Sequence, residues 1–276
     1  MNFYQNKSVL ITGGTSGIGL ALAKKLVNEK CRVAILSRQE SLLQSAAAEL
    51  ARVTPTDVEP VHLIQADVTK RDELQAILDG FTSQHGMPDI VINCAGVAHP
   101  GTFTSLKPEI FDWMMDVNYF GTVNVLKTLV PGMKARRTGV IVNISSIAGF
   151  LGIYGYTAYS ASKFAVTGFT DALRSELKPF NIKVALVFPP DTQTPQLEYE
   201  EKYKPFITKQ VAGSAKLMSA ETVADEIVRK VARGRYIILP GMEGKLIFVL
   251  QNLLGRRVYP VIDLLVRNAI SKVKIG

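Results

Sequence analysis

Two side chains that can move a proton lie four residues apart, Tyr159 and Lys163, in the run Tyr-Ser-Ala-Ser-Lys. On a helix this spacing places both on one face. A free tyrosine has a pKa of ~10 and is a poor acid or base near neutral pH. A cation beside it favours the phenolate and lowers that pKa. Ser146 ends a predicted buried strand thirteen residues earlier. Together these features predict acid–base chemistry more specifically than the tyrosine–lysine pair alone.

A glycine-rich run near the start of the chain has the features of a phosphate-binding loop. The predicted strand Ser8–Ile11 leads directly into Thr12–Gly19, and a helix is expected to open at Ile18. Glycines let the backbone turn tightly and approach a pyrophosphate, whose charge is favoured at a helix N-terminus. The run therefore predicts a dinucleotide site, and the residues expected to bind the cofactor there are Gly13, Thr15, Ser16, Gly17, Ile18 and Gly19.

The end of the second predicted strand indicates which dinucleotide binds. An acidic residue there binds the ribose 2′-hydroxyl of NAD, whereas an arginine accommodates the 2′-phosphate of NADP. This chain has Ser37 and Arg38 at that point, and its next acid is Glu40. We therefore expect NADPH/NADP as the cofactor, against the alternative that Arg38 is an ordinary surface arginine.

The elements that must position these residues alternate regularly between strand and helix. Apolar strand runs are separated by stretches with apolar residues at helical spacing, which predicts βαβ units in a doubly wound, Rossmann-type α/β fold with a parallel sheet. Nearly continuous apolar runs are typical of strands buried on both faces. The predicted strands are Ser8–Ile11, Arg32–Leu36, Val61–Gln65, Ile90–Asn93, Gly139–Ile144, Lys183–Phe188 and Tyr236–Leu239.

The 276 residues are expected to form one Rossmann domain, residues 1–240, followed by an apolar and basic C-terminal tail, residues 241–276. Prolines and a charged stretch after the sixth strand predict a substrate lid with short helices at about residues 189–218, and a helix follows at about Ala220–Arg233. The tail holds the apolar segments Leu246–Leu250 and Val258–Val266. Both are too short to span a bilayer, which takes ~18–20 residues.

Charge and cysteine content narrow the location and the partners. The chain has a net charge of +8. Half of this charge lies in residues 240–276, which contain six basic and two acidic residues. No nucleic-acid motif accompanies this charge, so we expect peripheral contact with an anionic membrane surface and no nucleic acid. The alternative is that the tail packs on the protein. Two cysteines without metal-ligand spacing and no evident signal peptide favour the cytoplasm, or the cytoplasmic face of a membrane, and no metal site.

The chain resembles the short-chain dehydrogenase/reductase family over about residues 5–195. Matching motifs follow in the family's order: Thr12–Gly19, Asp67, Asn93-Cys94-Ala95-Gly96, Asn118, Ser146 and Tyr159 with Lys163. The resemblance implies that Tyr159 is the general acid/base and that Ser146 hydrogen-bonds the reacting oxygen. It implies that Lys163 holds the nicotinamide ribose and lowers the pKa of the tyrosine, and that Asn118 positions a water in a proton relay.

The resemblance also implies cofactor contacts away from the glycine-rich run. These are Asp67 against the adenine and Val68 after it, Asn93, Ala95 and Gly96 at the central strand, Tyr159 and Lys163, and Pro189, Thr192 and Thr194 after the sixth strand. One position departs from the family, which usually has Pro-Gly where this chain has Pro189-Pro190. A second proline fixes φ and removes an N–H, so this turn is expected to be stiff.

Three segments resemble one branch of the family, the 3-ketodihydrosphingosine reductases of sphingolipid synthesis: Pro189–Pro195, Tyr156–Ala165 and Leu177–Asn181. This implies NADPH-dependent reduction of the ketone of a long-chain lipid, with a lipophilic small molecule as substrate. It also implies a homodimer or homotetramer. The alternatives are a reductase of another lipophilic carbonyl (steroid, retinoid or acyl-dihydroxyacetone) and a non-catalytic NADP-binding regulator, which the complete set of motif residues disfavours.

Overall fold

The computed structural model describes residues 3–212 and 217–272. At its centre lies a sheet of seven parallel strands. The strands are β1 (Ser8–Thr12), β2 (Arg32–Ser37), β3 (His62–Gln65), β4 (Ile90–Asn93), β5 (Gly139–Ile144), β6 (Ile182–Val187) and β9 (Ile237–Ile238), and the ribbon β7 (Thr192–Gln193) and β8 (Met218–Ser219) lies apart. Each predicted strand agrees with the observed one to within a residue at either end. The predicted doubly wound α/β fold is confirmed.

Helices cover both faces of the sheet. They are α1 (Gly17–Asn28), α2 (Glu40–Ala51), α3 (Arg71–His85), α4 (Pro108–Met114), α5 (Gly121–Arg136), α6 (Thr157–Leu177), α7 (Pro195–Tyr203), α8 (Phe206–Ala212), α9 (Ala220–Ala232), α10 (Glu243–Leu254) and α11 (Tyr259–Ser271). Successive strand residues point to opposite faces. Val9 and Ile11 accordingly pack with α1 and α9, whereas Leu10 packs with α3 and α5. Two hydrophobic layers thus hold the sheet rigid beneath the site.

The strand order β3-β2-β1-β4-β5-β6-β9 reverses direction between β1 and β4. In open parallel sheets, ligands bind outside the carboxyl ends of the strands at such a reversal, because the connections leave in opposite directions and open a crevice. The register brings Thr12, Asn93 and Asn143 to the same level at this edge. The fold therefore places the predicted chemical residues around one crevice.

The segment after β6 folds into α7, α8 and the short ribbon of β7 and β8. Thr194 caps α7 by accepting a hydrogen bond from the backbone N–H of Leu197 at 3.2 Å, and Pro195 occupies the first helical position. Proline is tolerated there because that N–H has no helical partner. The short helices expected in the lid are present, although residues 213–216 of that lid lie outside the described residues.

The tail forms two helices, α10 and α11, joined at Gly255–Val258. Phe248 packs on Phe150 and Phe188, with ring centroids 5.1 and 5.8 Å away. Other apolar side chains of these helices stay in solvent, and Leu253 is 77% exposed. No helix in residues 3–212 or 217–272 is long and apolar enough to cross a membrane. One side of the tail thus packs on the domain. Of the six basic residues of the tail, Lys274 lies outside the described residues.

Candidate active site

The loop between β1 and α1 approaches the end of β4 very closely. Gly13 has a positive φ of 66°, and a Cβ there would lie 2.8 Å from the Cα of Ala95. A Cβ at Gly19 would lie 2.1 Å from the carbonyl oxygen of Gly13. Only glycine satisfies both contacts. The N-terminus of α1 therefore opens into the crevice, where its backbone N–H groups suit an anionic phosphate.

One cavity at the carboxyl edge of the sheet brings together most of the predicted site residues. It is lined by Gly13, Thr15, Ser16, Gly17, Ile18, Gly19, Ala95, Gly96, Ser146, Tyr159, Lys163, Pro189, Thr192 and Thr194. The glycine-rich loop thus shares one space with the acid–base residues. This is the arrangement needed for a dinucleotide whose phosphates bind the loop and whose reactive end reaches the tyrosine.

The residues expected to select the dinucleotide lie at neighbouring strand ends. The Oγ1 of Thr15 donates to the Oγ of Ser37 at 3.4 Å, so the end of β2 adjoins the phosphate loop. An Arg38 nitrogen lies 3.9 Å from a carboxylate oxygen of Asp67, and the arginine side chain is 54% exposed. The guanidinium is therefore available to a ligand phosphate, while Asp67 also accepts two hydrogen bonds from Thr69.

Five predicted cofactor residues do not line the cavity: Ser37, Arg38 and Asp67, described above, and Asn93 and Val68. The amide of Asn93 donates to the side-chain oxygen of Asn143 at 2.8 Å, which ties β4 to β5. Val68 is buried in the core beneath the sheet edge, and its carbonyl accepts from the amide of Asn124 at 2.9 Å. Asn93 thus supports the central strands. Neither side chain lines the cavity, and the cofactor contacts expected of both residues stay predictions.

Asn118 lies in a π-helical segment, Met115–Phe120, between α4 and α5. Its side-chain oxygen accepts from the backbone N–H of Val97 at 2.7 Å, and its amide donates to the carbonyl of Val97 and to the hydroxyl of Ser162 on α6. A Cβ at Gly96 would lie 3.2 Å from the Asn118 oxygen and 3.3 Å from the nitrogen of Lys163. Asn118 therefore sits next to the lysine and fixes the strand end to α6.

The phenol of Tyr159 is partly buried in the cavity. Burial raises its pKa above the usual value, and the negative charge of Glu200 raises it further. Hydrogen bonds with Ser146 and Gln196 act in the opposite direction. The phenol is consequently protonated near neutral pH, and its hydrogen bond with Ser146 shows that the two hydroxyls lie close enough to reach one substrate oxygen.

Lys163 is buried, and its ammonium donates to the carbonyl of Ile144 at 3.1 Å. Burial lowers the pKa of this lysine to about 8. Its nitrogen lies 5.7 Å from the centroid of the Tyr159 ring. The spacing in the sequence led us to expect a lowered tyrosine pKa. The opposite is found, because burial opposes the charged form of both groups and Glu200 adds a negative charge.

Further polar residues line the same cavity, and three of them are hydrogen-bonded to one another: Tyr156, Gln196 and Glu200. Glu200 accepts from the phenol of Tyr156 at 2.6 Å and from the amide of Gln196 at 3.0 Å. The sequence predicts a charged lid with short helices around Gln196 and Glu200, but no role was assigned to either side chain. The spacing of four between Gln196 and Glu200 was the available sign that both lie on one face of a helix.

The short chain dehydrogenase family matches residues 7–204 of this chain. The chain belongs to the short-chain dehydrogenase/reductase family and is an oxidoreductase. It is 35% identical to a mouse 3-ketodihydrosphingosine reductase, over 86% of this chain and 71% of the mouse protein. It is 38% identical to a 3-dehydrosphinganine reductase of Arabidopsis thaliana, over 84% of this chain and 69% of the plant protein.

Solved structures show the same fold. A 3-oxoacyl-[acyl-carrier protein] reductase from Brucella melitensis is 28% identical with a TM-score of 0.73, and the match covers 87% of this chain and 92% of that one. The structure of ElxO with NADP bound is also 28% identical, with a TM-score of 0.75, covering 86% of this chain and 97% of that one. The latter protein carries NADP on a closely similar frame.

Proposed function

We propose that this enzyme uses NADPH to reduce the ketone of a long-chain lipid, 3-ketodihydrosphingosine, to the alcohol dihydrosphingosine. The observation that carries the proposal is the single cavity that joins the glycine-rich loop to Ser146, Tyr159 and Lys163. The relatives named above support the choice of substrate, since several similar proteins carry the name of this reductase.

The residues present fit an NADPH molecule. The loop from Gly13 to Gly19 would hold the pyrophosphate, for the steric reasons given above. The exposed guanidinium of Arg38 would pair with the 2′-phosphate by a charge-assisted hydrogen bond. Asp67 would lie at the adenine, and Lys163 would hold the ribose next to the nicotinamide. When bound, NADPH supplies the hydride that the ketone carbon receives.

The protein's own groups then handle the proton. As the carbonyl bond pair moves onto oxygen, the phenol of Tyr159 donates its proton to the developing alkoxide, and Ser146 donates a hydrogen bond to the same oxygen. The raised pKa of Tyr159 keeps the phenol protonated until this moment. Asn118, held next to Lys163, would position a water from which the tyrosine recovers its proton. We therefore assign catalysis to Asn118, Ser146, Tyr159 and Lys163.

A membrane-facing tail would deliver a lipid of this kind to the cavity. Helix α10 packs beside Ile147, which directly follows Ser146: a Cβ at Gly244 would lie 3.4 Å from the Ile147 side chain. Exposed apolar side chains alternate with basic side chains along α10 and α11, as in helices that lie on an anionic bilayer. The exposed apolar residues are Met242, Leu246, Val249, Leu250, Leu253, Leu254, Val261, Leu264, Leu265 and Ile270.

These features lead us to propose that residues 241–276 bind peripherally to the cytoplasmic face of an anionic membrane, and that residues 1–240 form the catalytic unit. Packing of Phe248 against the domain shows that part of the tail is structural as well. The homodimer or homotetramer expected for this family stays a prediction.

A second candidate is a reductase of another lipophilic carbonyl. A protein named putative oxidoreductase SadH from Mycobacterium tuberculosis is 32% identical over 92% of this chain and 93% of its own length. This match extends over more of the chain than that to the mouse reductase. Because this relative is not named for a sphingolipid substrate, steroids, retinoids and acyl-dihydroxyacetone are included in the substrate tests.

The experiment is an NADPH-oxidation assay with purified enzyme and detergent-dispersed substrates. We expect kcat/KM for 3-ketodihydrosphingosine to exceed that for a steroid ketone, retinal and acyl-dihydroxyacetone at least ~10-fold, the scale of one well-placed polar contact. Product analysis should show dihydrosphingosine. Faster turnover of any of the other three would replace the proposed substrate, and turnover of none would contradict the proposed function.

A further inference from the structure

The cavity is lined by two carboxylates, Asp191 and Glu200. Asp191 lies 3.6 Å from the ammonium of Lys204, whereas the reduction of a simple ketone has no use for the other, the carboxylate of Glu200. This residue lies on α7, is only 7% exposed, and lines the same cavity as Ser146 and Tyr159. Burying a carboxylate is costly unless it is paired or hydrogen-bonded. Its presence beside the reacting groups therefore calls for a partner.

The hydrogen bonds of Glu200 satisfy it only in part. Tyr156 donates to one carboxylate oxygen and Gln196 to the other, and both donors are neutral. Among the ion pairs within residues 3–212 and 217–272, none includes Glu200. The nearby ammonium of Lys204 is instead bound by Glu201 at 2.5 Å and lies 3.6 Å from Asp191. The carboxyl group of Glu200 thus faces the cavity without a direct cation.

The position of Glu200 relative to the reacting groups is also informative. Gln196 hydrogen-bonds both Glu200 and the phenol of Tyr159, so the carboxylate is one side chain away from the proton donor. The rings of Tyr156 and Tyr159 have centroids 5.7 Å apart. A ketone held at Tyr159 would therefore carry its nearest substituents close to Glu200.

We propose that Glu200 is the specificity-determining counter-ion for a cationic amine next to the ketone of the substrate. This inference rests on the proposed function, because the amino group of 3-ketodihydrosphingosine is on the carbon adjacent to the ketone. The ammonium forms a charge-assisted hydrogen bond with the carboxylate. The cavity thereby prefers an amino ketone over a ketone of the same chain that lacks the amine, such as 1-hydroxyoctadecan-3-one.

The test compares these two ketones in the wild type and in Glu200→Gln, which keeps the size of the side chain and its capacity to accept from Tyr156. The readout is the ratio of kcat/KM for the amino ketone to that for the amine-free ketone. Any effect of the variant on Tyr159 or on hydride transfer acts on both substrates and cancels in this ratio. Glu198→Gln, an exposed glutamate on the same helix, is the matched control.

We expect the wild-type ratio to exceed 10 and to fall about 10- to 100-fold in Glu200→Gln, the range for a hydrogen bond to a charged group. The Glu198→Gln ratio should equal that of the wild type. An unchanged ratio in Glu200→Gln would overturn the inference and assign the carboxylate to fixing Tyr156. Equal wild-type turnover of both ketones would also overturn it while leaving the proposed lipid reductase intact. Turnover of neither would contradict the proposed function itself.

A second measurement requires no variant. A saturated long-chain primary amine should inhibit the wild type at a concentration at least ~10-fold below that of the alcohol of equal length, because only the amine pairs with Glu200. Equal inhibition by the two compounds would overturn the inference even if Glu200→Gln does not fold.

Discussion

Replacing Lys163 with methionine should make the cofactor-free protein more stable while abolishing its activity. The substitution removes a buried ammonium but keeps the length of the side chain. Burial lowers the pKa of this lysine from 10.5 to about 8, and each pKa unit corresponds to about 1.4 kcal/mol. Holding the charge in the folded state therefore costs about 3 kcal/mol. Losing the hydrogen bond to Ile144 destabilises the variant by about 1 kcal/mol, so we expect its free energy of unfolding to rise by about 2 kcal/mol in total.

The effect has a defined dependence on pH. Because the pKa of Lys163 is lower in the folded than in the unfolded protein, the unfolded chain binds the proton more tightly. The cost is fully present below pH 8 and disappears as the pH rises towards 10.5. The stability difference between Lys163→Met and the wild type should consequently be largest near pH 7 and shrink at pH 9.5.

Urea unfolding without cofactor, at pH 7 and at pH 9.5, measures this difference. Lys127→Met is the matched control, because that lysine is exposed and surface substitutions change stability by less than ~0.5 kcal/mol. If Lys163→Met were less stable than the wild type at pH 7, or if the difference between them were the same at both pH values, the buried charge of Lys163 would not carry the expected cost.

The other predictions concern the cofactor and the tail. The preference for NADPH over NADH, measured as the ratio of their kcat/KM values, should fall about 10- to 100-fold in Arg38→Ala, because the variant loses a charged hydrogen bond to the 2′-phosphate. Equal use of NADH and NADPH by the wild type would contradict the assignment of NADPH as cofactor. Flotation with anionic liposomes should show salt-sensitive binding, which Arg256→Gln with Arg257→Gln weakens by about 2 kcal/mol, at about 1 kcal/mol per charge. Leu253→Ser should also weaken it, and equal binding to neutral liposomes would count against the membrane proposal.

Much of the fold could be predicted from sequence because strands buried on both faces read as apolar runs. The phosphate loop was equally accessible, since Gly13 and Gly19 are required by backbone contacts that no other residue permits. The cofactor role of Val68 stays a prediction. Asp67 and Val68 both follow the end of β3, and the sequence did not indicate that the Val68 side chain is buried in the core.

The electrostatics of the site could not be predicted from sequence. Spacing places Lys163 on the same helix face as Tyr159, but the pKa values of both groups depend on how deeply the assembled fold buries them. Glu200 was missed for a related reason. Its local surroundings are strongly charged, as in a solvated helix, and only the packing of α7 over the sheet edge turns this one carboxylate inwards. Similarly, apolar residues in the tail do not reveal that Phe248 packs on the domain while Leu253 stays exposed.

The proposed reaction depends on Tyr159 as the proton donor to a ketone reduced by NADPH, and Tyr159→Phe removes that donor while keeping the ring. The measurement is the rate of NADPH oxidation with saturating 3-ketodihydrosphingosine, together with NADPH binding followed by fluorescence. Tyr236→Phe, which removes a phenol that bonds Asp171 away from the cavity, is the control. We expect turnover to fall at least ~10²-fold in Tyr159→Phe, the scale of general acid catalysis, while NADPH still binds and the control keeps its rate. Near-normal turnover by Tyr159→Phe would show that Tyr159 is not the proton donor.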